Sequence, residues 1–233
     1  MNKERPVLEF ENVLLEGADS SESALWDVSF AIPESGLLLV LLDREHLHLP
    51  LADAASGLIN PTQGSVRFNG SDWSNLRADE AAAQRGRIGR LFDEASWVAN
   101  LDMDENLTLA QRHHTRREEA ALREEAAEFS RKFQLPGLPL GKPDGYQQRD
   151  LQKAACARAF MGQPALILLE RPTHDIYADV LPALANAVFE ARRRGAAVVW
   201  TTANRQVWDD AGLSPTQRVR VSGARLYACD SDE

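Results

Sequence analysis

The sequence predicts an α/β fold, and three observations carry that prediction. Leu37–Leu42, Ala165–Leu169 and Ala197–Thr202 are short apolar runs of the kind that form strands buried on both faces. Amphipathic helical segments follow strands of this kind. One opens at Pro50, where a missing N–H costs nothing in a first turn, and stops at Gly57. Another spans Val180–Arg194 and ends at Gly195. Two further strands, Val7–Leu14 and Leu25–Ile32, come first, joined by the polar loop Ala18–Ser23 and followed by the turn Pro33-Glu34-Ser35-Gly36.

The remaining elements follow in order. Asn60-Pro61 and Gln63-Gly64 mark a turn before a strand at Ser65–Asn69. Asp72–Gly86 reads as a loop and a short helix, and Arg87–Phe92 as a short strand. The run from Gln111 to Phe133 is strongly helical. Within it, Glu118–Phe133 carries charges at i, i+4 spacing and an apolar stripe of Ala121, Leu122, Ala126, Phe129 and Phe133. Leu135–Tyr146 is a Pro/Gly-rich connection. Arg218–Val221, a turn at Ser222-Gly223 and Arg225–Tyr227 close the chain as a hairpin. His113-His114 invites a metal reading, but adjacent helical residues point about 100° apart and make a poor chelate. No metal site is expected.

Composition narrows the function classes. The chain has 233 residues, 44% of them hydrophobic, enough for one large domain or two small ones. A formal charge of −9 argues against a nucleic acid or an anionic membrane as the main partner. Cys156 and Cys229 are too few for a disulfide framework and read as thiols in a reducing compartment. MNKERPVLEF lacks the apolar centre of a signal peptide, and no apolar run reaches the ~18 residues that a membrane span needs. The expectation is a soluble, cytoplasmic chain with no direct membrane insertion, peripheral at the membrane only through a partner.

The stretch SGLINPTQGSVRFNG resembles the segment behind the phosphate-binding loop in ATP-binding subunits of ABC transporters. QKAACARAFMGQPALILLERP matches the family pattern A-x-A-R-A-L followed by x-x-P-x-x-L-L-L-D-E-P without a gap. The resemblance covers about residues 8–227. It implies a P-loop NTPase-like domain with an antiparallel β subdomain and a helical subdomain: a core of 1–92 and 156–233, and a helical part of about 93–155. Within that frame every functional motif departs from the family. The loop G-x-x-G-x-G-K-[ST]-[ST] falls on Leu42, Asp43, Arg44, Glu45, His46, Leu47, His48, Leu49 and Pro50. Glycines let backbone N–H groups converge on phosphate, Lys contacts the terminal phosphates and the hydroxyl binds Mg²⁺. None of these is present. Asp43 and Glu45 instead bring two carboxylates, whose repulsion at ~4 Å costs roughly 4 kcal/mol at an effective dielectric near 20. Arg44, His46 and His48 offset part of that.

The other positions depart in the same way. The adenine-stacking aromatic falls at Glu16-Gly17-Ala18, which has no ring, while Phe10, Trp26 and Phe30 read as packing residues. The Gln of the loop after Arg87–Phe92 is Asp93, read either as a cation ligand or as a helix-capping or loop Asp. The L-S-G-G-Q signature falls on Tyr146, Gln147, Gln148, Arg149 and Asp150. Arg149 can attract phosphate, but the close backbone approach that Gly permits is lost. Lys153 replaces the family Arg. The metal-holding Asp is Glu170 and the catalytic Glu is Arg171, a cation that cannot accept a proton. Glu170 and Arg171 together read as a structural edge. The loop that should end in Leu-Asp is Ile176-Tyr177, and the switch His is Ala203.

The resemblance implies a pseudo-ATPase subunit with no catalytic residue, no cofactor and no metal, working with a membrane permease subunit, another ABC ATPase subunit, or both. In the family a short permease helix docks between core and helical subdomain. The matching surface runs from Phe92 through His114, with Trp97, Val98, Leu101 and Met103 as anchors or, alternatively, as subdomain core. Leu107–His114 also resembles ATPases of lipid-trafficking systems that work with MCE proteins. Two alternatives stand beside this reading. One is a weakly active ABC ATPase using ATP and Mg²⁺. The other is a soluble module binding another anion through Arg44, His46 and His48.

Overall fold

A computed structural model describes residues 5–17, 24–43, 48–93, 96–174 and 177–229. Among these the strands form two sheets. The first is antiparallel and built from β1 (Leu8–Leu15), β2 (Leu25–Ile32), β4 (Gln63–Phe68) and β5 (Ser71–Asp72), in the order β2-β1-β4-β5. The second contains β3 (Leu37–Leu41), β6 (Ile88–Leu91), β7 (Leu166–Glu170), β8 (Ala197–Thr202), β9 (Gln217–Ser222) and β10 (Arg225–Cys229). Its order is β10-β9-β3-β8-β7-β6, with β9, β3, β8, β7 and β6 parallel and β10 antiparallel at the edge.

The apolar runs behave as their composition demands. Every residue of β3 and β8 is buried. Leu37, Leu39, Leu41, Ile167, Leu169, Val198 and Trp200 face one core. Leu38, Val40, Leu166, Leu168, Ala197 and Val199 face the other, together with the antiparallel sheet. Burying such a side chain contributes about 1.5–3 kcal/mol, so a helical phase for these runs would leave half of that unrealised. Phe10 and Phe30 stack at 4.6 Å between β1 and β2, while Trp26 is half exposed.

Helices cover the parallel sheet. α1 (Leu51–Ala55) starts behind Pro50 and ends where Gly57 turns left-handed at φ +63°. A Cβ there would meet the Trp73 ring at 2.3 Å, so glycine answers both backbone and packing. α2 (Ala78–Arg85) follows. The predicted single helical run from Gln111 to Phe133 is two helices, α3 (Met103–His114) and α4 (Glu119–Lys132). Thr115 breaks it. Its backbone is extended, its hydroxyl donates to the Gln111 carbonyl at 2.7 Å, and that hydroxyl also receives the Arg117 N–H at 3.4 Å. Arg112–Glu119 then ties the two helices across the break, and Arg117–Glu125 ties the linker to α4. Ala121 is exposed, so the inner stripe of α4 is Leu122, Ala126 and Phe133 with Ser130.

α5 (Gln148–Phe160) lies between α4 and β6. A Cβ on Gly89 of β6 would come within 1.9 Å of the Ala159 carbonyl oxygen, so α5 packs on bare backbone. α6 (Tyr177–Arg193) begins at Tyr177 rather than Val180, with Asp179 in its first turn, where a negative charge complements the helix dipole. α7 (Arg205–Trp208) is a single turn after β8. The apolar core on one sheet face continues through α5 into Met103, Leu107, Leu135 and Phe133. No helix among the described residues is long and apolar enough to cross a membrane.

Candidate functional site

Strand order decides what meets at the C-terminal ends of the parallel strands, where open α/β sheets place their ligands. β3, β8, β7 and β6 are neighbours in that order. Their ends therefore bring Asp43, Ala203, Glu170, Arg171 and Asp93 to one edge. Between them lies a cavity of about 120 Å³ lined by His48, Asp53, Asp93, Glu170, Arg171 and Thr201 among others.

Two ion-pair clusters span this cavity. Arg171 forks onto Asp93, with Nε to Oδ1 at 2.5 Å and Nη2 to Oδ2 at 2.6 Å. His48 Nδ1 lies 2.9 Å from the same Asp93 Oδ2. Asp93 and Arg171 are 11% and 12% exposed, so the pair is well shielded from water. Arg171 has φ +44°, a left-handed backbone that costs a residue with a side chain about 1–3 kcal/mol. Its N–H is held by the Thr201 carbonyl at 3.1 Å. The second cluster centres on Arg90 of β6. Its Nε donates to Glu170 at 2.6 Å and its Nη1 to Asp53 of α1 at 2.5 Å. Its guanidinium also lies 4.3 Å from the centre of the Phe92 ring.

The electrostatics follow from this count of charges. Burial works to lower the Arg90 pKa, but its hydrogen bonds to Glu170 and Asp53 and their negative charges outweigh it and hold the guanidinium above its ordinary value. Burial raises the Glu170 carboxyl above the ordinary range. Asp53 and Asp93 add to that rise, while Arg90 opposes it. Glu170 shares its one guanidinium with Asp53, so three carboxylates face two arginines and His48.

The expected positions divide into several groups. Arg44, Glu45, His46, Leu47 and Ile176 lie outside the described residues, as does Ala18, so the Asp43–Glu45 repulsion falls there too. His48, Leu49 and Leu42 line the cavity, and Pro50 precedes α1. Asp93 lies in the loop just past β6 and caps no helix; as a cation ligand it is taken up by Arg171 and His48. Glu170 and Arg171 do not form an edge with each other: neighbours on a strand end point apart, and each pairs across to the β6 end. Gln147, Gln148 and Arg149 are exposed at the start of α5, and Asp150 is half-buried. Arg149 is paired with Asp179 at 2.5 Å rather than standing open for phosphate. Lys153 is buried, and Ala203 is exposed just past β8.

The proposed docking anchors separate as well. Met103 is fully buried beside Leu107 and is core, not anchor, because it lies on the inner face of α3. Trp97 is partly buried against that core, Leu101 is half-buried, and Val98 is 42% exposed. Val98 borders a groove of about 340 Å³ formed with Gly89, Phe92, Leu109, Arg158 and Met161. His113 and His114 meet edge to face at 4.7 Å, and burial, His113 and Arg85 push His114 below its ordinary pKa. Sequence reading missed Asp53, Arg90 and Arg158. Arg90 carries the one available signal, a charge inside an otherwise apolar strand.

Comparison with known proteins gives a consistent picture. Residues 50–174 match a family model described as ABC transporter. Over 188 residues the chain is 24% identical to the phosphonates import ATP-binding protein PhnC 2 of Synechococcus sp. (strain JA-2-3B'a(2-13)), covering 77% of this chain and 70% of that one. Over 220 residues it is 24% identical to the probable ribonucleotide transport ATP-binding protein mkl of Mycobacterium leprae (strain TN), covering 91% of this chain but only 62% of the relative. The fold matches the dimeric structure of MJ0796, a bacterial ABC transporter cassette, with a TM-score of 0.82 at 20% identity, over 94% of this chain and 96% of that one. It also matches a structure of an ATP-binding subunit of an ABC transporter, with a TM-score of 0.79 at 19% identity, over 97% and 90%.

Proposed function

The chain belongs to the ABC transporter family, and from that premise we propose that it is a pseudo-ATPase subunit: it keeps the architecture of an ATP-binding subunit, neither binds nor hydrolyses MgATP, and acts within a membrane transport complex. One observation carries the reading. The positions that would meet nucleotide and metal are already spent on each other, Arg171 on Asp93 and Arg90 on Glu170 and Asp53. The residues do not fit MgATP. Polyphosphate needs converging amides, a Lys and a hydroxyl, and here His48, Leu49 and Pro50 stand at the last three loop positions. A triphosphate entering the cavity would meet Asp53, Asp93 and Glu170. The same three carboxylates disfavour the reading as an anion-binding module.

The partner in this proposal is a membrane permease subunit, or another ABC ATPase subunit. For the cargo, the Leu107–His114 likeness supports a lipid, although Leu107 and Thr108 are buried and serve packing. The relatives are named for phosphonates and ribonucleotides.

A melting scan in millimolar MgATP tests the proposal. A ligand at 100 times its Kd stabilises by about 2.7 kcal/mol, several degrees for a chain of this size. The expected result is no shift and no phosphate release above buffer. An ATP-dependent rise that disappears in His48→Ala would overturn it in favour of a weakly active ATPase.

A further inference from the structure

The end of the parallel sheet opposite the ion-pair cavity carries a second, larger cavity of about 410 Å³. It lies where β3, β8 and β9 begin, between the C-terminal half of α6, the turn at Ser35 and the short turn Ala211–Leu213. Ala185, Val188, Phe189, Arg192 and Arg193 follow i, i+3, i+4, i+7, i+8 spacing, so a single face of α6 makes one wall. Leu213 closes the other side. Most of the lining is apolar, and Phe189 is 61% exposed, a large ring left in water.

Arg192 is built into this wall. Its Nε donates to the Ser35 carbonyl at 2.8 Å, and its Nη1 to the carbonyls of Leu213 at 3.1 Å and Ser214 at 3.0 Å. The Ser35 hydroxyl donates back to the Arg192 carbonyl at 2.7 Å. Ser35 and Ser214 are both left-handed, at φ +61° and +44°, a backbone that a residue with a side chain keeps only when its surroundings hold it. The three acceptors of Arg192 are neutral, and its Nη2 makes no hydrogen bond among the described residues. Burial lowers its pKa with no carboxylate to oppose the fall, in contrast to Arg90. Arg193 lies beside it, its guanidinium 5.9 Å from the centre of the Phe189 ring. Among the described residues neither arginine pairs with a carboxylate. The acids adjacent in sequence are engaged elsewhere, Glu190 with Lys132 at 3.1 Å and Asp210 with the Gly212 N–H at 2.8 Å. Arginines in a last helical turn complement the helix dipole. That accounts for cations at this place, but not for an apolar cavity and an exposed ring beside them.

We propose that this cavity binds a small amphiphilic carboxylate, its head held by Arg192 and Arg193 and its apolar body laid against Val188, Phe189 and Leu213. The volume falls within the roughly 300–1,000 Å³ of small-molecule sites, which combine apolar walls with a few placed polar groups. Charge-assisted hydrogen bonds to a guanidinium are directional and strong, so the head fixes orientation while the body displaces water from the ring. Arg192 is already locked by three carbonyls, so little of its freedom remains to be lost on binding.

The test titrates the ¹⁵N-labelled full chain with three probes, sodium octanoate, 1-octanol and sodium acetate, with octanoate kept below its micelle concentration. Octanoate is expected to give saturating shifts at the amides of Phe189, Arg193, Gly212 and Ser214. Octanol, the same body without the charge, should bind roughly tenfold more weakly. Acetate, the head without the body, should move none of them. Phe189→Ala and Arg193→Gln change exposed side chains, so the fold is expected to hold, and each should weaken octanoate several-fold. Octanol binding as tightly as octanoate, or no saturating shift at these amides, overturns the proposal and needs no variant. An unchanged octanoate affinity in either variant also overturns it. None of these readouts involves nucleotide, so a cavity that fails beside a flat MgATP scan leaves the pseudo-ATPase reading standing.

Discussion

In the proposed reading Arg171 and Asp93 are a matched pair of exchanges, standing where the family is expected to carry Glu and Gln, a base and a neutral amide. Here they are a cation and an anion, and they form two parallel hydrogen bonds at 2.5 and 2.6 Å. Such a fork is worth having only if both halves are present. Removing one partner of a buried pair leaves an uncompensated charge and costs about 3–5 kcal/mol. Arg171→Ala is therefore expected to lower the unfolding free energy by about 3 kcal/mol in urea titration. The double variant Asp93→Ala, Arg171→Ala should lose less than the sum of the single variants. Additive losses would mean that the pair contributes nothing jointly.

At the scale of elements, the contact between β6 and α5 holds both clusters in place. Arg90 lies on β6, Asp93 just beyond it, and Arg158 on α5. Gly89 lets the helix sit directly on the strand, with the Ala159 carbonyl where a side chain would be. Gly89→Ala would force strand and helix apart, since a backbone oxygen cannot rotate away as a flexible side chain can. Overpacking of this kind costs about 1–3 kcal/mol. The expected signature is a lower midpoint in chemical denaturation with an unchanged slope. A midpoint equal to that of the parent chain would show that β6 and α5 have slack.

For the whole molecule, the question is what holds it to a partner. ABC domains that clamp ATP between two subunits need a phosphate loop on one side and a signature on the other. In the proposed reading this chain has neither: His48, Leu49 and Pro50 fall at the loop positions, and Gln147, Gln148 and the paired Arg149 at the signature positions. Association should therefore be the same with and without MgATP. With a formal charge of −9, binding to a basic partner surface should weaken as salt rises past ~0.15 M. Gel filtration with a candidate permease or ATPase subunit, with and without MgATP, reads both effects. A complex that forms only with ATP would show that the residual site still works.

The sequence by itself determined the strands and the residue types at each functional position. Leu37–Leu41 is apolar throughout and Ala197–Trp200 likewise, short runs of the kind that form strands buried on both faces. That Leu42–Pro50 contains no glycine, lysine, serine or threonine is likewise a matter of identity, readable without coordinates. Tertiary structure decided who pairs with whom. Arg90 and Glu170 are 80 residues apart, and Asp93 and Arg171 are 78 apart. They meet only because β6 lies beside β7 in the sheet. Periodicity is a property of near neighbours along the chain, whereas charge compensation depends on distance in space. Hence the sequence left Asp93 open between a cation ligand and a capping or loop Asp, and Met103 open between anchor and core, until strand order and helix packing placed each against its neighbours.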